Sequence, residues 1–203
     1  MTPWLLMPVK SLRGGKGRLA PVLDAEARAA FNRFLLTHMI DVARDFPGAE
    51  RTAVISASDE VLSVVAAAGM LAIRQSEAPG MNAAVAEGVA SLRSRADDIL
   101  ILPVDLPLVV PDDLRRFAAI DRRCRIVLCP DRRNSGTNGM LLRGAVAFDF
   151  GFGEDSFALH WQRATQAGAM PCRFDNARIA FDIDGPEDFE AWRRLQPDQA
   201  QSA

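Results

Sequence analysis

Long apolar runs are missing from this 203-residue chain. Its longest apolar stretches, residues 61–73 and 99–104, fall well short of the roughly 20 residues a membrane-spanning helix needs. The N-terminus, MTPWLLMPVK, has no basic segment ahead of its apolar residues. It does not read as a signal peptide, and a cytoplasmic location is expected. Cysteine is scarce: Cys124, Cys129 and Cys172 are an odd number with no C-x-x-C spacing. That predicts reduced thiols, with neither a disulfide framework nor a zinc site. Histidine is scarcer still, and His38 and His160 are too far apart in sequence to suggest a multi-His metal centre. Neither sign of charge dominates, since 24 basic residues face 26 acidic ones and the pI is near 5.7. No bulk field therefore favours nucleic acid or an anionic membrane. The 14 glycines and 12 prolines follow no period, which excludes collagen-like sequence, and 49% hydrophobic residues exclude disorder.

Lysine is the most informative shortage. Only Lys10 and Lys16 break an otherwise all-arginine set of cations, and both lie in one short loop. Chance within a small count is one reading. The other is that a compact, flexible ammonium is needed there, as on a nucleotide phosphate.

What is present has an alternating order. Residues 4–9 form an apolar run suited to a buried strand, followed by a Gly-rich basic loop, KSLRGGKGRL. Asp24 reads as the N-cap of a helix to about residue 44. Strands are expected at 52–55, 70–73, 99–104 and 125–129, with helices capped by Ser58 and Asn82 and opened by Pro111 between them. Beyond a polar loop (131–138) come an apolar segment (139–142), a Gly/Phe/Asp-rich loop (148–155), a helix capped by Ser156, a late strand (178–183) and a last helix from Pro186. Strands alternating with helices predict an α/β fold, with a mostly parallel sheet between two helical layers. No linker divides the chain. Residues 1–195 are expected to form one domain, and the polar residues 196–203 a frayed tail.

In open α/β sheets, ligands sit outside the carboxyl ends of the strands, and three features fall there. The loop after the first strand places Lys10, Arg13, Lys16 and Arg18 among glycines, which suits either a solvated basic turn or a triphosphate cradle. It matches neither G-x-x-x-x-G-K-[ST] nor G-x-G-x-x-G. Asp105, after a buried strand, is either a turn cap or a Mg²⁺ ligand. Asp182 and Asp184 alternate on an extended segment, which suits turn chemistry or shared divalent ligation. A fourth feature pairs the SGTN segment at 135–138 with FGEDS at 152–156. Small hydroxyls and glycine amides there form either surface turns or a pocket for a phosphorylated acid. No Ser/His/Asp or Cys–His arrangement is supported, and His160 is expected to pack or to face substrate.

At these residues the chain resembles the phospholactate/phosphoenolpyruvate guanylyltransferases of deazaflavin coenzyme F(420) biosynthesis. The matching pieces are Pro8-Val9-Lys10, Lys16-Gly17-Arg18-Leu19, Gly80-Met81-Asn82 and Asp105-Leu106-Pro107-Leu108. They continue through Gly136-Thr137-Asn138, Phe152-Gly153 with Ser156-Phe157 and His160, to Asp182-Ile183-Asp184 with Pro186 and Asp188. Seven pieces in order cover nearly the whole chain. The resemblance implies a single-domain nucleotidyltransferase α/β sandwich, with one or two Mg²⁺ held by Asp105, Asp182 and Asp184. It also implies GTP against Lys10, Lys16, Arg18, Gly80 and Asn82, and a small phosphorylated acid against Thr137, Gly153 and Ser156. Lys10, Lys16 and Asp105 are the expected catalytic groups, and an oligomer is compatible. Ser135, Gly139 and Gly185 depart from the family pattern, and the first two are expected beside the acceptor pocket. Rival readings are a nucleotidyltransferase with another nucleotide or acceptor, as in molybdopterin pathways, a non-catalytic nucleotide-binding regulator, and a D-x-D glycosyltransferase.

Overall fold

Apolar residues alternate between two destinations along each central strand, and that alternation builds three layers. The structure, a computed structural model, describes residues 2–76, 80–144 and 147–195. The tail expected at 196–203 lies outside the described residues. Seven strands form one sheet: β1 (Trp4–Pro8), β2 (Thr52–Ser56), β3 (Leu71–Arg74), β4 (Asp98–Ile101), β5 (Ile126–Pro130), β6 (Thr137–Arg143) and β7 (Pro171–Arg173). Their order is β3-β2-β1-β4-β6-β5-β7. The central β1 pairs in parallel with β2, Leu5 opposite Thr52, and with β4, Leu5 opposite Leu100. β2–β3 and β5–β7 are also parallel, and β6 runs against both β4 and β5.

Leu5, Met7, Val54 and Leu100 point to the face covered by α1 (Ala25–Asp45), α2 (Asp59–Ala67) and α4 (Pro111–Ala118). Leu6, Ala53, Ile55, Ile99 and Ile101 point to the face covered by α3 (Met81–Leu92) and α5 (Ser156–Gln166). This is the period-two pleat of a sheet buried on both sides. Each fully buried Leu or Ile contributes roughly 1.5–3 kcal/mol from apolar area removed from water. A third cluster positions the site. Leu19, Phe31, Leu35, Phe181, Ile183 and Phe189 pack together. They join the 3-10 turn Gly17–Leu19, α1, the segment carrying Asp182 and Asp184, and α6 (Pro186–Leu195). No helix among the described residues is long and apolar enough to cross a membrane.

The predicted α/β architecture, with its mostly parallel sheet between helical layers, is the one observed. Asp24 caps α1 as expected, accepting the Ala27 N–H at 2.8 Å. Elsewhere local signals were overridden. Ser58 holds the N-cap position of α2 without a side-chain cap bond. Asn82 is not a cap, because α3 begins at Met81 after Gly80 at φ 106°. Ser156 is the first residue of α5, and the cap position belongs to Asp155 in a left-handed conformation. The late strand expected at 178–183 does not form, for its backbone groups bond elsewhere: Ile183 N–H donates to the Asp105 carbonyl and Arg132 N–H to the Ala180 carbonyl. The last parallel strand is instead β7, three residues opening on a proline at the sheet edge, too short to show a periodic pattern.

The expectation of reduced thiols is also corrected. β5–β7 pairing sets Val127 opposite Cys172, and Cys124 lies just before β5; the two Cα atoms are 5.6 Å apart and the sulfurs form a disulfide. Spacing in sequence cannot reveal a contact made by strand pairing. Cys129 is free and buried, and that burial pushes its thiol up to about 12.

Candidate active site

The loop after β1 is braced from beneath. Asn32 of α1 donates to the Leu12 carbonyl at 2.8 Å, and a Cβ on Gly15 would come within 3.1 Å of the Asn32 amide nitrogen. Lys16 turns left-handed at φ 59°, which sends its side chain back under the loop. There the ammonium donates to Asp105 Oδ2 at 2.7 Å and to the Ile183 carbonyl, with only 12% of the side chain exposed. Arg18 Nη1 lies 3.8 Å from Asp184 Oδ2, both groups largely exposed, so this pair contributes little stability.

Two cavities open on this loop. One of about 480 Å³ is lined by Lys10, Lys16, Arg18, Met81, Asp105 and Asp184. The other, about 700 Å³, lies beside it over the ends of β1 and β2, lined by Lys10, Ser11, Ser58, Asp59, Gly80 and Met81. Lys10 and Met81 border both. A third cavity, about 260 Å³, shares Asp184 with the first and adds Asp131, Arg132, Arg133, Asp182 and Glu187.

The carboxylates sense one another. Burial, with Asp105 and Asp184 as negative neighbours, pushes the Asp182 carboxyl up to about 6, against the Asn138 amide that donates to it at 3.1 Å. Asp188, in the first turn of α6, reaches back to accept the Asp184 and Gly185 N–H groups at 2.9 and 2.8 Å. Arg132 donates to Asp188 at 2.6 Å and to the Asp182 carbonyl at 3.2 Å, its guanidinium 4.0 Å from the Phe181 ring centroid. Burial alone would raise the Asp188 carboxyl, yet these donors and Arg132 hold it below its ordinary value. Asp188 thus works as a brace for the Asp182–Asp184 segment. Among the described residues, no three His, Cys, Asp or Glu side chains converge on a metal-holding point. The cation standing on Asp105 is the Lys16 ammonium. Carboxylate oxygen is the donor chemistry a hard divalent ion takes, although Asp105, Asp182 and Asp184 do not converge on one point in this structure.

The remaining motif lies at the start of β6 and the end of the 149–155 loop. Thr137 and Asn138 are successive strand residues and face opposite sides. Asn138 reaches Asp182, while Thr137 meets α5. Ser156 Oγ accepts the Thr137 backbone N–H at 2.9 Å, and Thr137 Oγ1 lies 3.0 Å from His160 Nδ1. Ser156 and His160 are fully buried and Thr137 nearly so. Gly153 stands at φ 139°, a conformation that favours glycine, with open space where a side chain would stand. Asn82, expected on the nucleotide, spends both ends of its amide on one residue of this loop: it accepts the Phe152 N–H at 2.7 Å and donates to the Phe152 carbonyl at 3.3 Å. Gly139 does not border this region. A Cβ there would lie 2.6 Å from the Phe117 ring, so its departure from the family pattern answers to packing against α4.

The fold therefore gathers Lys10, Lys16, Arg18, Asp105 and Asp184 around one cavity, with Gly80 on the adjoining one. Thr137 and Ser156 meet in a separate buried cluster, and Asn82 ties α3 to the loop that carries Gly153. Sequence reasoning assigned no role to Asn32, Arg132, Asn138 or Asp188, whose work is to hold other residues. Only Asn138 and Asp188 lie within the motif pieces that carry the family resemblance.

Comparison with known proteins gives a consistent result. The family model described as guanylyl transferase CofC-like matches residues 4–192. A phosphoenolpyruvate guanylyltransferase of Rubrobacter xylanophilus is 37% identical over 93% of this chain and 92% of its own length. A 3-phospho-D-glycerate guanylyltransferase of Phenylobacterium zucineum is 33% identical over 90% of this chain and 86% of its own. A 2-phospho-L-lactate guanylyltransferase of Methanobrevibacter smithii is 22% identical over 90% and 80%. Among solved structures, a nucleotidyl transferase of Methanothermobacter thermautotrophicus shares the fold at TM-score 0.67 and 16% identity, over 96% of this chain and 99% of that one.

Proposed function

We propose, from the premise that this chain belongs to the CofC-like guanylyl transferase family and is a guanylyltransferase, that it joins GMP from GTP to the phosphate of a small phosphorylated acid. The acid is phosphoenolpyruvate, 2-phospho-L-lactate or 3-phosphoglycerate, the product serves coenzyme F(420) biosynthesis, and pyrophosphate is released. The observation that carries this reading is the cavity in which Lys10, Lys16 and Arg18 face Asp105 and Asp184. Cations suited to a triphosphate stand there opposite carboxylates suited to a divalent ion.

In this reading an oxygen of the acid's phosphate attacks the α-phosphorus of GTP, and the bond to the β-phosphate oxygen breaks. Phosphoryl-type transfer needs positioning and charge neutralisation more than a protein nucleophile. Lys10, Lys16 and Arg18 neutralise the triphosphate and the departing pyrophosphate. The glycine loop, braced by Asn32, lets backbone approach the phosphates. Asp105, Asp182 and Asp184 would hold Mg²⁺, which when bound would offset charge on the phosphates. The base lies in the adjoining cavity near Gly80. The acid lies against the Thr137 hydroxyl and the open backbone at Gly153, with Ser156 holding Thr137 from behind.

The test is pyrophosphate release with GTP, CTP or ATP as donor and each of the three acids as acceptor. Release that requires GTP and one of these acids is expected. No release with any of the acids, or equal rates with CTP, would overturn the proposal.

A further inference from the structure

His160 is wholly buried, and both its ring nitrogens are engaged. Nε2 lies 3.0 Å from the Gly151 backbone nitrogen, and Nδ1 lies 3.0 Å from Thr137 Oγ1. A backbone N–H can only donate, so Nε2 is the acceptor of that bond and carries no hydrogen. A neutral imidazole has one N–H, which must then be on Nδ1 and must donate to Thr137 Oγ1. Burial foremost, with the nearby Arg163 charge adding to it, lowers the ring to about 4 and keeps it neutral. The rings of Phe148 and Phe152, centred 5.6 and 4.8 Å from the imidazole, fix its plane.

The consequence falls on Thr137. Its oxygen receives the imidazole N–H, and the Ser156 hydroxyl is directed at it from 3.4 Å. Ser156 Oγ in turn takes the Thr137 backbone N–H. With one lone pair of Thr137 Oγ1 taken by the imidazole N–H, the hydroxyl cannot donate to His160, and its hydrogen is left for the long 3.4 Å contact to Ser156 Oγ or for an incoming oxygen. We propose that His160 is a positioning residue for the acceptor: its Nδ1–H holds the Thr137 hydroxyl in the sense that leaves the hydroxyl hydrogen to be donated to an anionic oxygen of the phosphorylated acid. The same ring pins the loop leading to Gly153 through Gly151, so one side chain sets both contacts. This inference rests on the reading that the acid lies against Thr137.

Two substitutions separate the ring's two bonds. His160→Asn keeps an N–H donor near Nδ1, and His160→Gln keeps an acceptor near Nε2 for Gly151. With phosphoenolpyruvate as acceptor, His160→Gln is expected to raise the acid KM about tenfold, the order of one lost hydrogen bond to a charged group. His160→Asn should stay within about threefold, and the KM for GTP should hold in both. Thr137→Val should also raise the acid KM about tenfold, and adding His160→Gln to it should change little further, because the two act through one hydroxyl. Equal effects of the two His160 variants, or multiplying effects with Thr137→Val, would overturn the assignment. Should His160→Gln not fold, a folded His160→Asn with a tenfold higher acid KM would overturn it as well. An unchanged acid KM in Thr137→Val would instead overturn the placement of the acid itself.

Discussion

At the scale of single residues, the lysine shortage now has a geometric counterpart. The Lys16 ammonium fits between Asp105 Oδ2 and the Ile183 carbonyl, from a left-handed backbone position with little room. A planar guanidinium cannot present one charge to both oxygens in that space. Lys16→Arg should therefore lower kcat/KM for GTP at least about tenfold; steady-state kinetics would show it, and wild-type kinetics would return the lysine count to chance. His160 makes a second prediction through acid. Its ring is neutral in the fold and lowered to about 4, against an ordinary value of 6.5. The unfolded chain takes up the proton first as pH falls, so the associated stability is complete above pH 6.5 and is lost progressively toward pH 4, by up to about 3 kcal/mol. Denaturant titrations across that range should show the slope in the wild type and a flatter one in His160→Asn.

At the scale of elements, the 149–155 loop is held from two helices. Asn82 of α3 grips the Phe152 peptide groups, and His160 of α5 takes the Gly151 N–H. Ser135 adds a third hold, accepting the Asp155 N–H and donating to its carboxylate. Because both ends of the Asn82 amide are already engaged, Asn82→Ala should loosen the acceptor side: the acid KM rises about fivefold and the KM for GTP moves less than twofold. A rise confined to GTP would instead put Asn82 on the nucleotide. α4 offers a parallel case. Asp113 caps the Val110 N–H and also binds Arg178 and Asn176, anchoring the loop that runs into Phe181 and Asp182.

At the scale of the whole molecule, the Cys124–Cys172 bridge encloses β5, β6 and α5 within a separation of 48 residues. In the chain-entropy account, closing a loop of that size stabilises the fold by about 4 kcal/mol. Reduction, or Cys172→Ser, should then lower the melting temperature by roughly 10 °C for a chain of this length. Calorimetry with and without reductant measures it, and a shift under about 2 °C would mean that strand pairing alone holds β7. The sheet has a division of labour. The parallel half, β3-β2-β1-β4, carries the phosphate-suited loop and its cavities, while β6 and β5 carry Thr137, Asn138 and Asp131 to the other side of the carboxylates.

Short continuous apolar runs alternating with helical stretches, an N-cap at Asp24 and prolines opening α4 and α6 were enough to read the layered α/β fold from the chain, because strands buried on both faces are apolar at every position. The ends of apolar runs likewise marked Lys10, Lys16 and Asp105, since a carboxylate or ammonium beside a buried strand needs a partner wherever it lies. The strand expected to carry Asp182 and Asp184, by contrast, does not form, and the packing of Phe181 and Ile183 sets their place. Contacts across the fold were decided by tertiary structure alone. Asn82 and Ser156 carry ordinary capping chemistry, yet each spends its side chain on a backbone N–H far away in sequence, that of Phe152 and the buried one of Thr137. Cys172 met Cys124 only because a three-residue edge strand paired with β5. Which nitrogen of His160 faces Thr137 with its hydrogen was decided by a glycine N–H that can do nothing but donate.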